Sequence, residues 1–275
     1  MSGGGPAPEA NLQDRTADLA LIREAAMLAG GQARAMRVAS LGIHRKADGT
    51  PVSDADLAVD RWLRARLIKA RPDYGWMSEE TADDPARLAK ARVFVVDPID
   101  GTRDYLRGRP WWGVSIAVVE QGRPVCGVFH APDRNETFEA TLGGGARRNA
   151  APIQAGAKEA LEGAGMLGDA AMFTHPAWAE PWPQMRIERR NSIAYRLCCV
   201  ASGEFDAALA LSAKSDWDLA AAELIAEEAG CLVTDHKGGP LVYNRSPPRQ
   251  PSLICAAPAL HRLILRRVEP IDLRT

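Results

Sequence analysis

Apolar residues recur along the chain with two different periods. Leu19, Ile22, Ala26, Ala29 and Ala33 fall alternately three and four positions apart, which predicts an amphipathic helix at the opening of the fold. After a loop carrying Asp48-Gly49-Thr50-Pro51, Ser53 or Asp54 is placed to cap a second helix with the buried stripe Val59, Leu63, Leu67 and Ala70. Pro72 and Gly75 break that pattern ahead of Trp76-Met77-Ser78-Glu79-Glu80. Continuous apolar runs then predict strands. Val93-Phe94-Val95-Val96 is halted at Asp97-Pro98, and residues 114–119 and 125–129 flank the hairpin-like turn Glu120-Gln121-Gly122-Arg123.

In the second half, Ala194, Leu197, Cys198 and Ala201 predict a helix ending near Gly203, and residues 206–211 a strand. A helix led by Asp218 runs to about Ala229, with Gly230 where a left-handed residue closes helices. Residues 232–234 and 253–256 read as strands, and Leu260, Leu263 and Ile264 as a last helix. Strands alternating with helices indicate an α/β layered fold. The triplet Gly143-Gly144-Gly145 is the clearest seam, and divides the chain into a flexible tail (1–16), an N-terminal α+β half (17–146) and a C-terminal α/β half (147–275).

Composition narrows the class. The chain is 46% hydrophobic and 25% charged, enough for an ordinary core in a soluble protein. Its 34 basic and 35 acidic residues give a net charge of −1, so no global field draws it to a nucleic acid polymer or a membrane. No apolar run reaches the ~18 residues of a membrane span, and the opening Met-Ser-Gly-Gly-Gly-Pro lacks the apolar core of a signal peptide. Cys126, Cys198, Cys199, Cys231 and Cys255 are odd in number and form no C-x-x-C pair, which suits small buried residues in a reducing cytoplasm.

The most informative stretch is Asp97-Pro98-Ile99-Asp100-Gly101-Thr102, where an apolar strand delivers two carboxylates into a turn set by Pro and Gly. Carboxylates at a strand end are costly to desolvate without a cation or hydrogen-bond donors. Gly101 and Thr102 add backbone N–H groups able to face an anion, so metal and phosphate binding together account for the motif. Taken alone, the two aspartates could simply cap a turn, Glu79-Glu80 could be solvated surface, and Asp218 an N-cap.

Taken in order, Glu79-Glu80, the 97–102 motif, and Trp217-Asp218 followed by an Ala-rich helix and Gly230 resemble the inositol monophosphatase superfamily over nearly the whole chain outside the tail. The resemblance implies a layered αβαβα sandwich, a magnesium-dependent and lithium-sensitive phosphomonoesterase, a small phosphate-ester substrate, and a homodimer. It further implies that Glu79, Asp97 and the carbonyl of Ile99 hold one Mg2+, that Asp97, Asp100 and Asp218 hold a second, and that a third ion is possible in the same site. Gly101 and Thr102 would donate N–H bonds to the phosphate, and Asp56 would pair with Thr102 to orient the attacking water. All these donors are hard oxygens and none of the five histidines lies in the motifs, which favours magnesium over zinc. Neutralising Asp100 or Asp218 is expected to leave the metal-free fold as stable as before, or more so.

Four positions depart from the family pattern: Ser78 replaces a Gly before the double Glu, Asn149-Ala150 an Asn-Gly, Asn191 a Gly, and Cys231 the second Gly of a pair. Asn tolerates positive φ, so a turn at Asn191 can survive. Inositol-specific members carry a Glu seven residues before the last aspartate; here it is Leu211. Lys214 and Arg190, with Arg189, are candidate contacts to a second phosphate. Ser78 and the 51–56 segment are closer to bacterial 3′(2′),5′-bisphosphate nucleotidases, so 3′-phosphoadenosine 5′-phosphate is the expected substrate, with inositol 1-phosphate, histidinol phosphate and sugar phosphates as alternatives. Phosphatases that form a phosphoaspartate use Asp-x-Asp, and two residues separate the aspartates here. A catalytically inactive binding protein on the same fold is the alternative of another class, and intact ligand positions speak against it.

Overall fold

The computed structural model of the protein describes residues 8–38, 42–45, 49, 51–176 and 178–273. Asp48 and Thr50 of the first loop, and the first seven residues of the expected tail, lie outside the described residues. In chain order the elements are α1 (Pro8–Val38), β1 (Ile43–Arg45), β2 (Pro51–Ser53), α2 (Asp54–Ala70), β3 (Gly75–Ser78), β4 (Arg92–Asp100), α3 (Thr102–Leu106), β5 (Gly113–Glu120), β6 (Arg123–Ala131), β7 (Glu136–Thr141), β8 (Ala146–Arg148) and β9 (Ala151–Pro152). There follow β10 (Gly165–Leu167), α4 (Ala170–Phe173), β11 (Arg186–Glu188), α5 (Ile193–Ala201), β12 (Ala207–Ala210), β13 (Lys214–Ser215), α6 (Asp216–Glu228), β14 (Leu232–Thr234), β15 (Arg249–Gln250), β16 (Leu253–Ala256) and α7 (Pro258–Val268).

These stack in five layers, α-β-α-β-α. The stripes of α1 (Ile22, Ala26, Ala29, Ala33) and α2 (Val59, Leu63, Leu67) pack on one face of a seven-stranded sheet, β3 to β9 in sequence order. Ala70 of the expected stripe is exposed at the end of α2. Only β3 and β4 pair in parallel, and every other neighbour in this sheet is antiparallel. Helices α5 and α6 cover its other face and are covered in turn by a second sheet, β11-β10-β12-β16-β14. That sheet buries its far face under α7 and residues around α4.

Three expectations change. The expected tail is helical from Pro8, because a proline at the first position of a helix loses no hydrogen bond and already has a helical φ. Gly143-Gly144-Gly145 is not a seam but the turn from β7 into β8, and the large sheet continues to Pro152. The Glu228 carboxylate, from the end of α6, accepts the N–H groups of Gly143 and Gly145 at 2.7 Å, so this turn is bonded to the central helix layer. Finally, β4 does not stop at Asp97 but runs through Asp100.

Helix α6 lies unusually close to the large sheet. A Cβ on Gly127 of β6 would meet the Ala221 carbonyl oxygen at 2.7 Å, so only glycine opposite alanine allows this approach. Ala220, Ala221 and Ala222 fill that layer, and the start of α6 is thereby carried to the end of β4.

Candidate active site

A regular strand points residues three apart to opposite faces. In β4 the pairing with β5 runs Asp97↔Ser115 and then Asp100↔Gly113, three steps on one strand against two on the other. The extra residue makes a bulge that turns both carboxylates to one side. Pro98, with no N–H to contribute, sits within it. Asp218 reaches the same place from the first turn of α6, where its Oδ2 accepts the N–H of the N-cap Ser215 at 2.9 Å. One oxygen from each of Asp97, Asp100 and Asp218 then lies within 4.8 Å of the others.

This arrangement is electrostatically strained when no cation is bound. Burial, followed by the charges of Glu79, Asp100 and Asp218, pushes the Asp97 carboxyl well above its ordinary value. Burial pushes Asp100 up to about 6, against hydrogen bonds from Ser192, Ala194 and Ile193 that pull it down. Burial and the charges of Asp100 and Glu79 push Asp218 up to about 8. A hard divalent cation fits this donor set, since it would replace the mutual repulsion with attraction at each oxygen.

Each carboxylate is held by its own element. Asp100 accepts from Ser192 Oγ at 2.5 Å, Ala194 N at 2.8 Å and Ile193 N at 3.2 Å, and so caps α5 from across the chain. Asp56 caps the start of α2 by accepting Ser53 N at 2.8 Å and Ser53 Oγ at 2.5 Å. Thr102 Oγ1 lies 3.2 Å from Asp56 Oδ1 and 3.0 Å from the Ile99 carbonyl, either of which can take its single proton. Gly101, at φ 93°, is the left-handed N-cap of α3, and a Cβ there would press on Ser192 and the Trp111 carbonyl at 3.0 Å. It begins a helix at the cleft floor, the end at which the first amides have no acceptors of their own.

A family model for the inositol monophosphatase family matches residues 14–273. The chain belongs to the inositol monophosphatase family. It is 32% identical to an inositol-1-monophosphatase of Rhizobium meliloti, over 84% of this chain and 89% of the relative. It is 33% identical to a histidinol-phosphatase of Chlorobaculum parvum (72% and 78%) and 29% identical to the 3′(2′),5′-bisphosphate nucleotidase CysQ of Aggregatibacter actinomycetemcomitans (82% and 86%). Among solved structures, the extragenic suppressor protein suhB of Bartonella henselae superposes with a TM-score of 0.80 at 29% identity, covering 93% of this chain and all of that one. These relatives are named for different substrates, so membership of the inositol monophosphatase family establishes a phosphatase and leaves its substrate open.

Within this family phosphatase, Glu79, Asp97, Asp100, Thr102, Lys214 and Asp218 line one cleft of about 840 Å³, with Gly101 on its floor. Asp56 and the Ile99 carbonyl stand behind Thr102. Arg190 does not join them. Its guanidinium is buried, donates to Cys199 Sγ at 2.6 Å and Glu204 Oε1 at 2.8 Å, and lies over the rings of Trp111, Tyr195 and Phe205. It is a structural cation, and the neighbour that reaches the cleft is Arg189. Asn191 is also not in the left-handed region expected of it. Its Nδ2 and N donate to Asp104 at 2.6 and 3.0 Å, which fastens α3 to the start of α5.

Sequence reasoning missed three residues of the site. Ser192 holds Asp100. Arg196 lines the cleft from α5. Asp60, buried one turn below Asp56, accepts the hydroxyls of Ser78 and Thr81 and so grips both ends of the Glu79-Glu80 turn. A signal was present for the helix starts: Ser53-Asp54-Ala55-Asp56 and Ser215-Asp216-Trp217-Asp218 are the same Ser-Asp-x-Asp box, each with its last aspartate at the site.

Proposed function

We propose that this protein is a magnesium-dependent, lithium-sensitive phosphomonoesterase that prefers 3′-phosphoadenosine 5′-phosphate to inositol 1-phosphate. The observation that carries the reading is a cage of three carboxylates in a cleft that also holds Lys214, Arg189 and Arg249, with Leu211 on its wall. Such a wall offers cations to a second phosphate, while Leu211 accepts no hydrogen bond from a polyol.

In this reading Glu79, Asp97 and the Ile99 carbonyl would hold one magnesium ion, and Asp97, Asp100 and Asp218 a second. Magnesium, when bound, supplies the charge that acidifies water and stabilises the departing oxygen. The chain's own residues do the rest. Gly101 and Thr102 present N–H groups to the phosphate at the start of α3, and the Thr102 hydroxyl, backed by Asp56, orients the attacking water. No residue need be phosphorylated. A cytoplasmic location accords with five cysteines that are all unbridged and buried, and no helix among the described residues is long and apolar enough to cross a membrane.

The test is a substrate panel with purified protein in magnesium, in excess chelator and in lithium. The expected outcome is hydrolysis that disappears in chelator, falls in lithium and shows a higher kcat/KM for the bisphosphate. Full activity in chelator would overturn the metal chemistry. Equal or better kcat/KM on inositol 1-phosphate would overturn the nucleotide preference and leave the metal chemistry standing.

A further inference from the structure

The cations of the cleft are not equivalent. Arg189 has a carboxylate neighbour, Asp169, at 3.8 Å. Lys214 turns its ammonium to the Ser212 carbonyl and hydroxyl and the Ala213 carbonyl at 2.7–3.2 Å. Arg103 and Arg249 are exposed, and water solvates their charge.

Arg196 differs from all four. It stands one turn into α5, between the buried residues Tyr195 and Leu197, and is itself only half-exposed to the cleft. Among the described residues its one hydrogen bond runs from Nε to the Arg190 carbonyl at 2.6 Å, and no carboxylate forms an ion pair with it. That carbonyl belongs to the residue whose side chain is locked by Cys199, Glu204 and three aromatic rings, so the anchor is rigid. With Nε held in this way, the two terminal amino groups of the guanidinium are left for the cleft. The charges of Asp100, Asp169 and Asp104 reach this guanidinium without forming an ion pair with it, so its burial is only partly compensated, and an incoming anion with paired oxygens lowers the remaining cost through bidentate hydrogen bonds.

We infer that Arg196 is a specificity-determining residue that receives a second phosphate of the substrate, apart from the phosphate being hydrolysed. The inference rests on the phosphomonoesterase reading above and names the residue that gives it its preference. Lys214 and Arg249 add to the same subsite from the β13–β15 ribbon, where Ser215 pairs with Arg249. Met172 and Leu211 are partly buried in the same cleft and offer apolar surface, which suits the flat face of a base carried by the ester rather than a ring of hydroxyls.

The test compares 3′-phosphoadenosine 5′-phosphate with adenosine 3′-monophosphate in saturating magnesium. The two share the same scissile ester and differ only in the 5′-phosphate. The wild type should favour the bisphosphate in kcat/KM. Arg196→Gln should reduce that preference about tenfold, mainly through KM for the bisphosphate, and Arg196→Lys should restore part of it, as loss of one charge-assisted contact implies. The magnesium concentration for half-maximal activity should not move. An equal loss on both substrates, or a shift in that magnesium concentration, would show that Arg196 serves the carboxylate cage and overturn the inference. A wild type that hydrolyses both esters without preference would overturn it too, while leaving the phosphomonoesterase reading intact. Hydrolysis of neither would remove the substrate reading on which it rests.

Discussion

At the scale of single residues, the three caged aspartates do different work when no metal is bound. Asp100 is charge held by three donors at the start of α5, whereas Asp218 keeps one donor, Ser215 N, and suffers the repulsion of Asp100 and Glu79. The expectation that neutralising either one relieves the metal-free fold therefore divides. In Asp218→Asn the amide oxygen can still accept from Ser215 N, so the helix start survives and a disfavoured charge is gone. At pH 8 in chelator this variant should be more stable than wild type by about 1–2 kcal/mol, after allowing for screening at a carboxylate that is only partly buried. Asp100→Asn turns an NH2 group toward donors and should gain less or lose stability. Both should lower turnover at least about 100-fold if the cage binds the catalytic metal. Urea denaturation with chelator, beside kcat, measures both effects, and a matching gain in the two variants would contradict the capping role of Asp100.

At the scale of elements, two departures of this chain from the family pattern are answered by local geometry, and Cys231 is simply buried. Ser78 supplies a hydroxyl to Asp60, and Asn191 supplies an amide to Asp104. Ala150 is the exception. It sits at φ 66° beside Asn149 at φ 50°, in the two-residue turn where Arg148 pairs with Ala151. Such a turn needs positive φ at both positions, which asparagine tolerates and alanine resists by about 1 kcal/mol. Ala150 is exposed and its methyl group covers nothing that would offset this. Ala150→Gly should therefore stabilise the protein by about 0.5–1 kcal/mol, with activity unchanged, as thermal and chemical denaturation would show. A loss of stability would mean that the flexibility glycine adds to the unfolded chain outweighs the strain removed.

At the scale of the whole molecule, the cage makes stability depend on pH and on metal together. A carboxyl whose folded value lies above its unfolded one favours folding while protonated, so its contribution is present at low pH and is lost as pH rises through the folded value. For Asp100 and Asp218 the ordinary value is 3.8 and the folded values are about 6 and about 8, which sets the window at pH 4 to 8. In chelator, Tm should fall across that window by more than surface charge alone would cause. Magnesium should raise Tm more at pH 8 than at pH 5.5, because protons compete for the same oxygens. A magnesium effect independent of pH, measured by differential scanning fluorimetry, would argue that the cation binds elsewhere.

Much of this architecture was legible in the chain. Stripes at helical spacing and uninterrupted apolar runs identified α1, α2, β4, β5, β6, α5, α6 and α7, because burial on one face or on two imposes those periods on any sequence. Short pieces such as β10, β11 and α4 carried too few residues to show a period. The site motifs were legible because Glu79-Glu80, the 97–102 motif and Trp217-Asp218 occur together in an order that resembles the inositol monophosphatase superfamily, although each alone reads equally well as a cap or as solvated surface. What the sequence could not decide was direction in space. Arg189, Arg190 and Arg196 are equally charged in the chain, yet the fold locks one among aromatic rings, leaves one at the rim and aims one into the cleft. The glycine triplet had the composition of a seam and became a turn, because α6 presents Glu228 to its amides from 83 and 85 residues away. Local composition and period are properties of neighbours along the chain and can be read there; which charge meets which partner depends on contacts between distant segments, and only the packed tertiary structure fixes those.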